Sequence, residues 1–275
     1  MQRKGERPMN IKKMVALVAT GALAASLALF GCSSGDQGAT TSSTSGNDAG
    51  YTLVNDGKLT VAASLDFPPF ENLNGDKPEG FAVDLMTLLA EEMGLECEYL
   101  PSTKFDTIVP LIQTGGKADV GVSGITITDE RLDQVDFTDA VCDVNQSITV
   151  LKDSGVTDVA QLEGKKVGAQ TGTTGYEWAA ENIKDAEVTG YDEMTAVFAA
   201  LDSGQIDAVS VDLPVANYYV RSYSDCQVIK EIPTGEQYAV AVSKENPELT
   251  KALNKALQAV HDNGKYDELA AKWLQ

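Results

Sequence analysis

Positive charge is scarce in this 275-residue chain, and so are histidine and cysteine. Its 21 lysines and arginines face 41 aspartates and glutamates, so the formal net charge at pH 7 is −20. This balance disfavours a nucleic-acid partner, because nucleic-acid binding requires a basic surface. It also disfavours an enzyme that grips phosphate groups with lysine and arginine, and its plainest physical consequence is solubility.

Histidine and cysteine offer no pattern for a metal site. Beyond Cys32 the chain has Cys97, Cys142 and Cys226, and no two of these have the spacing of metal ligands. They allow at most one disulfide, and we expect small buried thiols instead. The single histidine, His261, lies in a predicted helix near the C-terminus, where a place on the helix surface is expected. We therefore predict neither a metal nor a cofactor.

Residues 1–31 have the features of a secretory signal. A basic segment precedes an apolar run from residue 14 to residue 30, which is short for the roughly 20 residues of a membrane span. The run ends in Leu29-Phe30-Gly31-Cys32, which resembles a bacterial lipobox. That resemblance implies cleavage before Cys32 and attachment of diacylglycerol to its thiol. The alternative is a plain transmembrane anchor.

A polar segment from residue 32 to residue 50 follows the predicted signal. After Cys32 it consists almost throughout of Ser, Thr, Gly, Asn and Asp, which cannot bury a core. We expect a flexible tether between the lipid and a globular body outside the cell. Loss of residues 1–31 leaves 16 basic and 40 acidic residues, so the mature chain has a net charge of −24.

Strands and helices alternate along the first part of the globular body. Apolar periodicity predicts strands at residues 59–63, 96–99 and 119–122, and helices at residues 81–93 and 105–113. Alternation of this kind calls for a parallel sheet covered on both faces, with ligands at the carboxyl ends of its strands. Ser64, Phe67 and residues 123–131 all lie at such ends. The predicted fold class is therefore α/β.

A short segment at one of these strand ends is suited to hold a carboxylate. Apolar residues alternate with small or polar ones from residue 120 to residue 127, which predicts a strand. Thr128 stands where a helix N-cap is expected, and Arg131 follows in the first helical turn. Free backbone N–H groups, the hydroxyls of Ser123 and Thr126, and a planar guanidinium together fit a carboxylate. Arg131 could instead pair with an acidic neighbour on a solvated helix face.

The same segment carries a family resemblance. Gly-Ile-Thr-Ile-Thr-Asp-Glu-Arg at residues 124–131, followed by Val-Asp-Phe-Thr-Asp, closely resembles the signature of the family 3 solute-binding proteins, the amino-acid-binding proteins of ABC importers. Asn-Lys-Ala-Leu, Asp-Asn-Gly-Lys-Tyr-Asp-Glu-Leu and Lys-Trp-Leu near the C-terminus extend this resemblance, which covers about residues 53–274. It implies a two-lobed periplasmic-binding-protein (Venus flytrap) fold of type II. Each lobe would be a mostly parallel sheet flanked by helices.

Two crossing segments are expected to connect the lobes. Residues 141–150 are predicted to be extended, and residues 228–232 and 238–242 are predicted strands with the return crossing between them. We expect lobe 1 to comprise residues 51–143 and 234–275, and lobe 2 to comprise residues 144–233. Closure by hinge bending about two crossing strands would then be a population shift.

Two segments of the second lobe have features of a ligand site. Residues 170–175 form a loop rich in glycine and threonine before a predicted helix. The loop lacks the Gly-Lys-Ser/Thr ending of a P-loop, but it can present N–H groups to a small anion. Asp212 ends a predicted strand, and Pro214 follows at the start of a helix. The simple alternatives are an ordinary βα turn for the loop and a helix N-cap for Asp212.

The resemblance implies a role for each of these residues. Arg131 would clamp the α-carboxylate of the ligand, and Thr173 and Thr174 would donate to the same carboxylate. Asp212 would pair with the α-ammonium, and Phe67 would stack over the ligand side chain. The further candidate ligand residues are Ser64, Phe105, Gly124, Thr126 and Gly172.

Two of these positions leave alternatives open. Phe105 lies at helical spacing with other apolar residues, so it could be a core residue instead. Many relatives that read a basic or polar side chain carry Asp where Ser64 stands, and Asp66 lies two residues further on. We expect a polar amino acid as the ligand.

These features predict an extracytoplasmic, monomeric binding protein, anchored to the cell membrane through a lipid on Cys32, that captures an amino acid and hands it to an ABC permease. One alternative is an enzyme, because a few proteins of this fold are periplasmic dehydratases that act on prephenate-like cyclohexadienyl acids. That chemistry needs a general acid or base, which Glu71, Asp66 or Asp212 would have to supply. The other alternative is a ligand-binding sensor module.

Overall fold

A computed structural model gives the structure of the chain and describes residues 50–274. The predicted signal, Cys32 and the predicted tether up to residue 49 lie outside these residues. Within the described part of the chain, no helix combines the length and the apolar character that crossing a membrane requires. The body contains two five-stranded sheets with helices packed on them, and one small three-stranded sheet.

The described elements alternate between strands and helices along the chain. The strands are β1 (Lys58–Ala62), β2 (Asp66–Phe67), β3 (Glu71–Asn74), β4 (Lys77–Glu79), β5 (Glu96–Tyr99), β6 (Val120–Gly121), β7 (Asp136–Phe137), β8 (Cys142–Leu151), β9 (Lys166–Gln170), β10 (Glu187–Tyr191), β11 (Ala208–Asp212), β12 (Cys226–Tyr238) and β13 (Ala241–Val242). The helices are α1 (Phe81–Glu92), α2 (Phe105–Thr114), α3 (Asp129–Gln134), α4 (Thr174–Asn182), α5 (Met194–Asp202), α6 (Leu213–Ser222), α7 (Pro247–Asp262) and α8 (Lys265–Trp273), with a 3-10 turn at Val159–Leu162.

The first large sheet has the strand order β5-β1-β6-β13-β7 and forms lobe 1. Strand β1 pairs in parallel with β5 and β6, whereas β13 pairs antiparallel with β6 and β7. Because β1 lies inside the sheet with both faces covered, its apolar residues Leu59, Val61 and Ala62 are all buried. The carboxyl ends of β1 and β6 lie side by side, so the loops that follow them meet.

The second large sheet has the order β10-β9-β11-β8-β12 and forms lobe 2. Strand β9 pairs in parallel with β10 and β11, and β8 pairs antiparallel with β11 and β12. In each large sheet, four strands therefore run in the same direction and one strand, β13 or β8, runs antiparallel to them. The predicted α/β class is confirmed, with two mixed sheets.

A turn in lobe 1 depends on Gly80, the residue before α1. Its φ is 136°, and a Cβ at this position would lie 2.2 Å from the carbonyl oxygen of Phe70. This close approach lets the first two N–H groups of α1 donate to the carbonyls of Pro69 and Phe70, at 2.9 and 3.0 Å. The turn at residues 67–70 thus supplies acceptors that a helix N-terminus otherwise lacks.

Buried side chains form one large cluster that runs through both lobes. Phe70, Phe81 and Met86 contribute to it from lobe 1, and Phe198 and Val209 contribute from lobe 2. Smaller clusters lie under α2 and around β8. Cys97, Cys142 and Cys226 are free thiols, of which Cys226 is fully buried, and burial raises the pKa of each thiol to about 11.

The predicted crossing segments differ in one respect from the observed strands. The extended segment near residues 141–150 is present as β8. The return crossing, however, is not a break between two strands, because β12 continues from Cys226 to Tyr238 with two register irregularities. Its long pairing with β8 explains this continuity, since each strand satisfies the backbone hydrogen bonds of the other. The strand predicted at residues 238–242 is reduced to the last residue of β12 and the short β13.

The strand predicted up to residue 127 is also shorter than expected. Strand β6 ends at Gly121, and residue 126 makes only an isolated bridge with Tyr238. The cause is Gly124, whose φ of +55° turns the chain out of the extended conformation. The alternating apolar residues Ile125 and Ile127 therefore lie in a loop, and Ile125 is buried in the cluster under α2.

Candidate functional site

The loop after β6 forms the lobe 1 side of the candidate site and is tied to the loop after β1. The Ser123 hydroxyl accepts a hydrogen bond from the Ser64 N–H at 3.1 Å and donates to the Ser64 carbonyl at 3.3 Å. The Ser123 hydroxyl thus makes both of these hydrogen bonds within lobe 1. Ser64, one of the predicted ligand residues, is only 4% exposed and lies directly behind this loop.

Gly124 brings the same loop against an aromatic side chain. A Cβ at Gly124 would lie 2.8 Å from Cε1 of Phe67 and 3.2 Å from the ring of Tyr238. Phe67 is 3% exposed, and its ring centroid lies 6.5 Å from that of Phe70. Phe67 therefore packs beneath the Gly124 loop, and its stacking on a ligand stays a prediction. Phe70 is a core residue, as expected.

Arg131 connects the two lobes. Thr128 caps α3 as predicted, because its hydroxyl accepts a hydrogen bond from the Arg131 N–H at 3.3 Å. The guanidinium donates to the Thr126 carbonyl at 2.7 Å in lobe 1 and to the Gly172 carbonyl at 3.0 Å in lobe 2. It also lies over the Phe105 ring, with Cζ 5.4 Å from the ring centroid. Arg131 is thus part of the contact between the lobes, and not only of a solvated helix face.

Three carboxylates surround this guanidinium at longer range. Burial lowers the pKa of Arg131, while the negative charges of Glu177, Glu236 and Asp212 act in the opposite direction. Arginine remains charged at any physiological pH despite such burial. The cleft therefore holds one fixed positive charge with acidic groups around it.

The loop after β9 forms the lobe 2 side of the site. Gly172 has a φ of +77°, and a Cβ there would lie 3.1 Å from Cβ of Asp106 in α2, so this glycine allows the lobes to approach closely. Thr173 caps α4: its hydroxyl accepts from the Tyr176 N–H at 3.2 Å and donates to the Gln170 carbonyl at 2.8 Å. The Thr173 hydroxyl thus has a role as the cap of α4, and its predicted donation to a ligand stays a prediction.

Asp212 is buried at the end of β11, and its position is that of the N-cap of α6. Its side chain makes no capping hydrogen bond. Its Oδ1 instead accepts from the Gln146 amide at 2.9 Å, and the same amide nitrogen lies 3.2 Å from the Thr174 hydroxyl. Burial and the charge of Glu236 raise the pKa of Asp212 to about 7, although the nearby Tyr238 hydroxyl and Arg131 act against this rise.

Glu236, which sequence reasoning missed, lies between the two threonines that face each other across the cleft. Its Oε2 accepts a hydrogen bond from the Thr126 hydroxyl at 2.9 Å and from the Thr174 hydroxyl at 2.6 Å. Glu236 belongs to β12, in the segment expected to cross between the lobes. That expectation was the only signal for it, because nothing in its local sequence marks one glutamate among 41 acidic residues.

The other two carboxylates considered as catalytic groups are those of Asp66, which is hydrogen-bonded, and Glu71, which is buried. Asp66 accepts hydrogen bonds from the Thr195 N–H at 3.0 Å, from the Thr195 hydroxyl and from the Tyr219 hydroxyl at 3.1 Å. Glu71 is fully buried, and this burial raises its pKa well above the usual range. Asp66 thus links the lobes, while Glu71 is closed off from the cleft.

Two cavities lie beside the hydrogen bonds that Arg131 and Glu236 make between the lobes. One of about 300 Å³ lies beside Arg131, and its lining includes Phe105, Gly172 and Glu177. The other, of about 430 Å³, is lined by residues that include Thr126, Thr174 and Glu236. In the part of the chain that the structure describes, no group of His, Cys, Asp and Glu side chains could hold a metal ion. The arrangement suits a small zwitterion, with Arg131 for its anionic group and Asp212 for its cationic group.

Comparison with known proteins identifies this architecture. The sequence profile of the bacterial extracellular solute-binding proteins, family 3, matches residues 59–275. A probable histidine-binding protein of Neisseria gonorrhoeae is 33% identical over 97% of this chain and 97% of its own length. The ABC transporter glutamine-binding protein GlnH of Bacillus subtilis is 30% identical over 96% of this chain and 98% of its own length. An ancestral arginine-binding protein bound to arginine has a TM-score of 0.75 and 37% identity, with coverage of 80% of this chain and 99% of that structure.

The fold and site define a two-lobed periplasmic-type binding protein. The chain belongs to the bacterial extracellular solute-binding proteins, family 3. Its place is therefore outside the cytoplasm, as this family's description states and as the sequence predicts.

Proposed function

We propose that this protein binds a free amino acid between its lobes and delivers it to the permease of an ABC importer. The observation that carries the proposal is the position of Arg131, whose guanidinium donates to a carbonyl of each lobe. A ligand carboxylate on this guanidinium would be held by a charge-assisted hydrogen bond at the point where the lobes meet. Binding and closure would then be one event, which is what a permease that recognises the closed form requires.

We assign the roles of the ligand-binding residues from the position of Arg131. The α-carboxylate would lie on Arg131, with the N–H groups and hydroxyls of the two facing loops around it, and the α-ammonium would lie on Asp212. The residues we assign to these loops and to the flanks of the ligand are Ser64, Phe67, Phe105, Gly124, Thr126, Gly172, Thr173 and Thr174. Thr126 and Thr174 are the strongest of these, because their hydroxyls already donate to a carboxylate.

The ligand side chain is expected to be polar. The relatives reported above are named for histidine, glutamine and arginine, and all three carry hydrogen-bonding side chains. The acidic groups near the cleft, Glu177 and Glu236, favour a neutral polar or a cationic side chain over an acidic one.

We further propose that the chain is a monomeric lipoprotein held at the membrane by a lipid on Cys32. Residues 1–31 would be the signal and residues 32–50 the tether. Residues 51–143 and 234–275 would form lobe 1, and residues 144–233 lobe 2. The separate lobes would then hinge on the two long strands β8 and β12, which pair with each other.

A thermal-shift screen of the purified protein tests this function. The probes are the twenty amino acids and a set of small keto and cyclohexadienyl acids. A ligand that binds only the folded state stabilises it by about 2.7 kcal/mol at a hundredfold excess over its Kd. We expect a clear rise in Tm with one amino acid or a related group.

The same screen separates the alternatives. The dehydratase is not favoured, because the curated relatives reported above are binding proteins and Glu71 is closed off from the cleft. A rise in Tm with a cyclohexadienyl acid alone, followed by turnover of that acid, would overturn the proposed function. So would the failure of every amino acid to shift the Tm.

A further inference from the structure

Glu236 makes the same kind of contacts that a ligand carboxylate would make. One oxygen, Oε2, accepts hydrogen bonds from Thr126 at 2.9 Å and from Thr174 at 2.6 Å. Thr126 belongs to the loop after β6 in lobe 1, and Thr174 is the first residue of α4 in lobe 2. A single carboxylate of the protein thus joins the two lobes near the guanidinium of Arg131, whose pKa its negative charge raises.

The backbone around Glu236 explains how a strand residue reaches this position. The register between β12 and β8 is irregular between Ile232 and Glu236. Gly235, just before it, has a φ of +66°, and its N–H lies 3.3 Å from the Asn145 side-chain oxygen. A left-handed glycine in a bulged strand redirects the following side chain. Strand β12 therefore departs from regular pairing just before the residue that enters the cleft.

The hydroxyls of Thr126 and Thr174 cannot serve two carboxylates at once. Each threonine hydroxyl has a single proton to donate, and both protons point to Glu236 here. A ligand carboxylate that is to use these donors must first displace Glu236. Its negative charge would also repel that of Glu236 at close range, because the two carboxylates would compete for the same part-buried hydroxyls.

We propose that Glu236 is an internal competitor of the ligand, which occupies the hydroxyl donors of the carboxylate site and closes the lobes on the protein's own side chain. This inference rests on the proposed function for the identity of the ligand. Binding then exchanges one carboxylate for another, so the apparent affinity is lower than the contacts of the ligand alone would give. Glu236 thereby sets the affinity of the site and lets the ligand dissociate again at the permease.

Removal of the competitor should tighten binding. Calorimetric titration of L-arginine and L-glutamine, or of whichever amino acid shifts the Tm in the screen, is done on wild type, Glu236→Ala and Glu236→Gln. We expect Glu236→Ala to lower the Kd by about tenfold, the scale of one charge-assisted hydrogen bond released from competition. The Kd of Glu236→Gln should lie between those of wild type and Glu236→Ala, because its amide oxygen still accepts hydrogen bonds from the threonines but carries no charge.

Two control variants separate competition from a general change in charge. Glu177→Gln removes a carboxylate that also acts on Arg131 but makes no hydrogen bond to Thr126 or Thr174 among the described residues. Glu187→Gln changes an exposed residue at the start of β10, in the same sheet of lobe 2. Neither should match the effect of Glu236→Ala. An equal tightening in Glu177→Gln, or an unchanged or weaker affinity in Glu236→Ala, would overturn the inference.

A measurement without any amino acid tests the inference separately from the function. Small-angle X-ray scattering should give a larger radius of gyration for Glu236→Ala than for wild type, because the hydrogen bonds of Glu236 to Thr126 in lobe 1 and Thr174 in lobe 2 are lost. Equal radii would contradict an internal closing residue even if amino-acid binding is established. Conversely, if wild type bound no amino acid, the proposed function would fail while this comparison would still decide whether Glu236 closes the lobes. A cooperative unfolding transition in each variant confirms that it is folded.

Discussion

Burial controls the charge of Asp212, which is the proposed partner of the ligand ammonium. Its carboxyl is buried at the end of β11, and burial together with Glu236 raises its pKa to about 7. An α-ammonium needs the ionised carboxylate. Below this pKa the free protein holds a proton on Asp212, and binding has to release it.

Affinity for the amino acid should therefore fall as the pH falls below 7. The Kd is expected to rise by up to about tenfold per pH unit between pH 7 and pH 5, because one proton is released per ligand bound. Calorimetric titrations at pH 8, 7, 6 and 5 measure this dependence. Asp212→Asn, which has no proton to release, should bind weakly and with a flat pH profile. A wild-type Kd that is constant from pH 8 to pH 5 would show that Asp212 is not the ammonium partner.

At the scale of the elements, a second contact between the lobes joins β2 to α5 and α6, away from Arg131. Asp66 in β2 accepts from the Thr195 N–H in the first turn of α5, from the Thr195 hydroxyl and from Tyr219 in α6. A carboxylate at a helix N-terminus is favoured by the helix dipole and by the unpaired N–H groups there. Asp66 therefore stabilises the approach of α5 and α6 to lobe 1.

Asp66→Ala should weaken ligand binding without removing a ligand contact. We expect roughly a tenfold rise in Kd, because charge-assisted hydrogen bonds across the cleft contribute about 1.5–3 kcal/mol each before solvent exposure reduces them. Tyr219→Phe is the matched control: it keeps the ring stacked on Phe198 at 4.3 Å and deletes one of the hydrogen bonds to Asp66, so its effect should be smaller. If Asp66→Ala leaves both the Kd and the radius of gyration unchanged, the contact does not contribute to closure.

The sequence predicted those elements whose signal is local. Helix α1 follows from its apolar period, and Thr128 was recognisable as the cap of α3 because capping is decided within one helical turn. The end of β6 was not recognisable, since the apolar alternation continues through Gly124 and only the fold makes that residue turn. The continuity of β12 depends on its pairing with β8, which lies far away in sequence.

In the candidate site, too, the sequence predicted the local features but not the contacts between residues far apart in the chain. The carboxylate-binding character of residues 123–131 could be read from the motif, because guanidinium, hydroxyls and helix start all lie within nine residues. The bond from Arg131 to Gly172 and the role of Glu236 join residues that are 41 and more positions apart, so only the folded chain brings them together. The hydroxyl of Thr173 has a local role as the cap of α4, which the resemblance alone could not reveal, and its contact with a ligand stays a prediction.

On the scale of the whole molecule, several polar contacts across one cleft connect the two lobes. They are the bonds of Arg131 to Gly172, of Asp66 to Thr195 and Tyr219, of Glu236 to Thr126 and Thr174, and the exposed ion pair of Lys104 with Asp192. Exposed ion pairs contribute little, so the part-buried hydrogen bonds of Glu236 and of Tyr219 are expected to contribute more to closure than Lys104 does. Arg131 also contacts both lobes, and its planar guanidinium, unlike the exposed ammonium of Lys104, can hold a ligand carboxylate with two hydrogen bonds, which makes it the central residue of the proposed function.

Calorimetric titration of the amino acid found in the screen into wild type, Arg131→Lys and Arg131→Ala tests this claim most directly. Loss of a hydrogen-bonded buried charge partner costs about 2–5 kcal/mol, so Arg131→Ala should lose roughly a hundredfold or more in affinity while still unfolding cooperatively. Arg131→Lys keeps the positive charge but not the planar guanidinium, so its affinity should lie between those of wild type and Arg131→Ala. An Arg131→Ala protein that is folded and binds within about threefold of wild type would contradict the account, because the ligand carboxylate would then be held elsewhere.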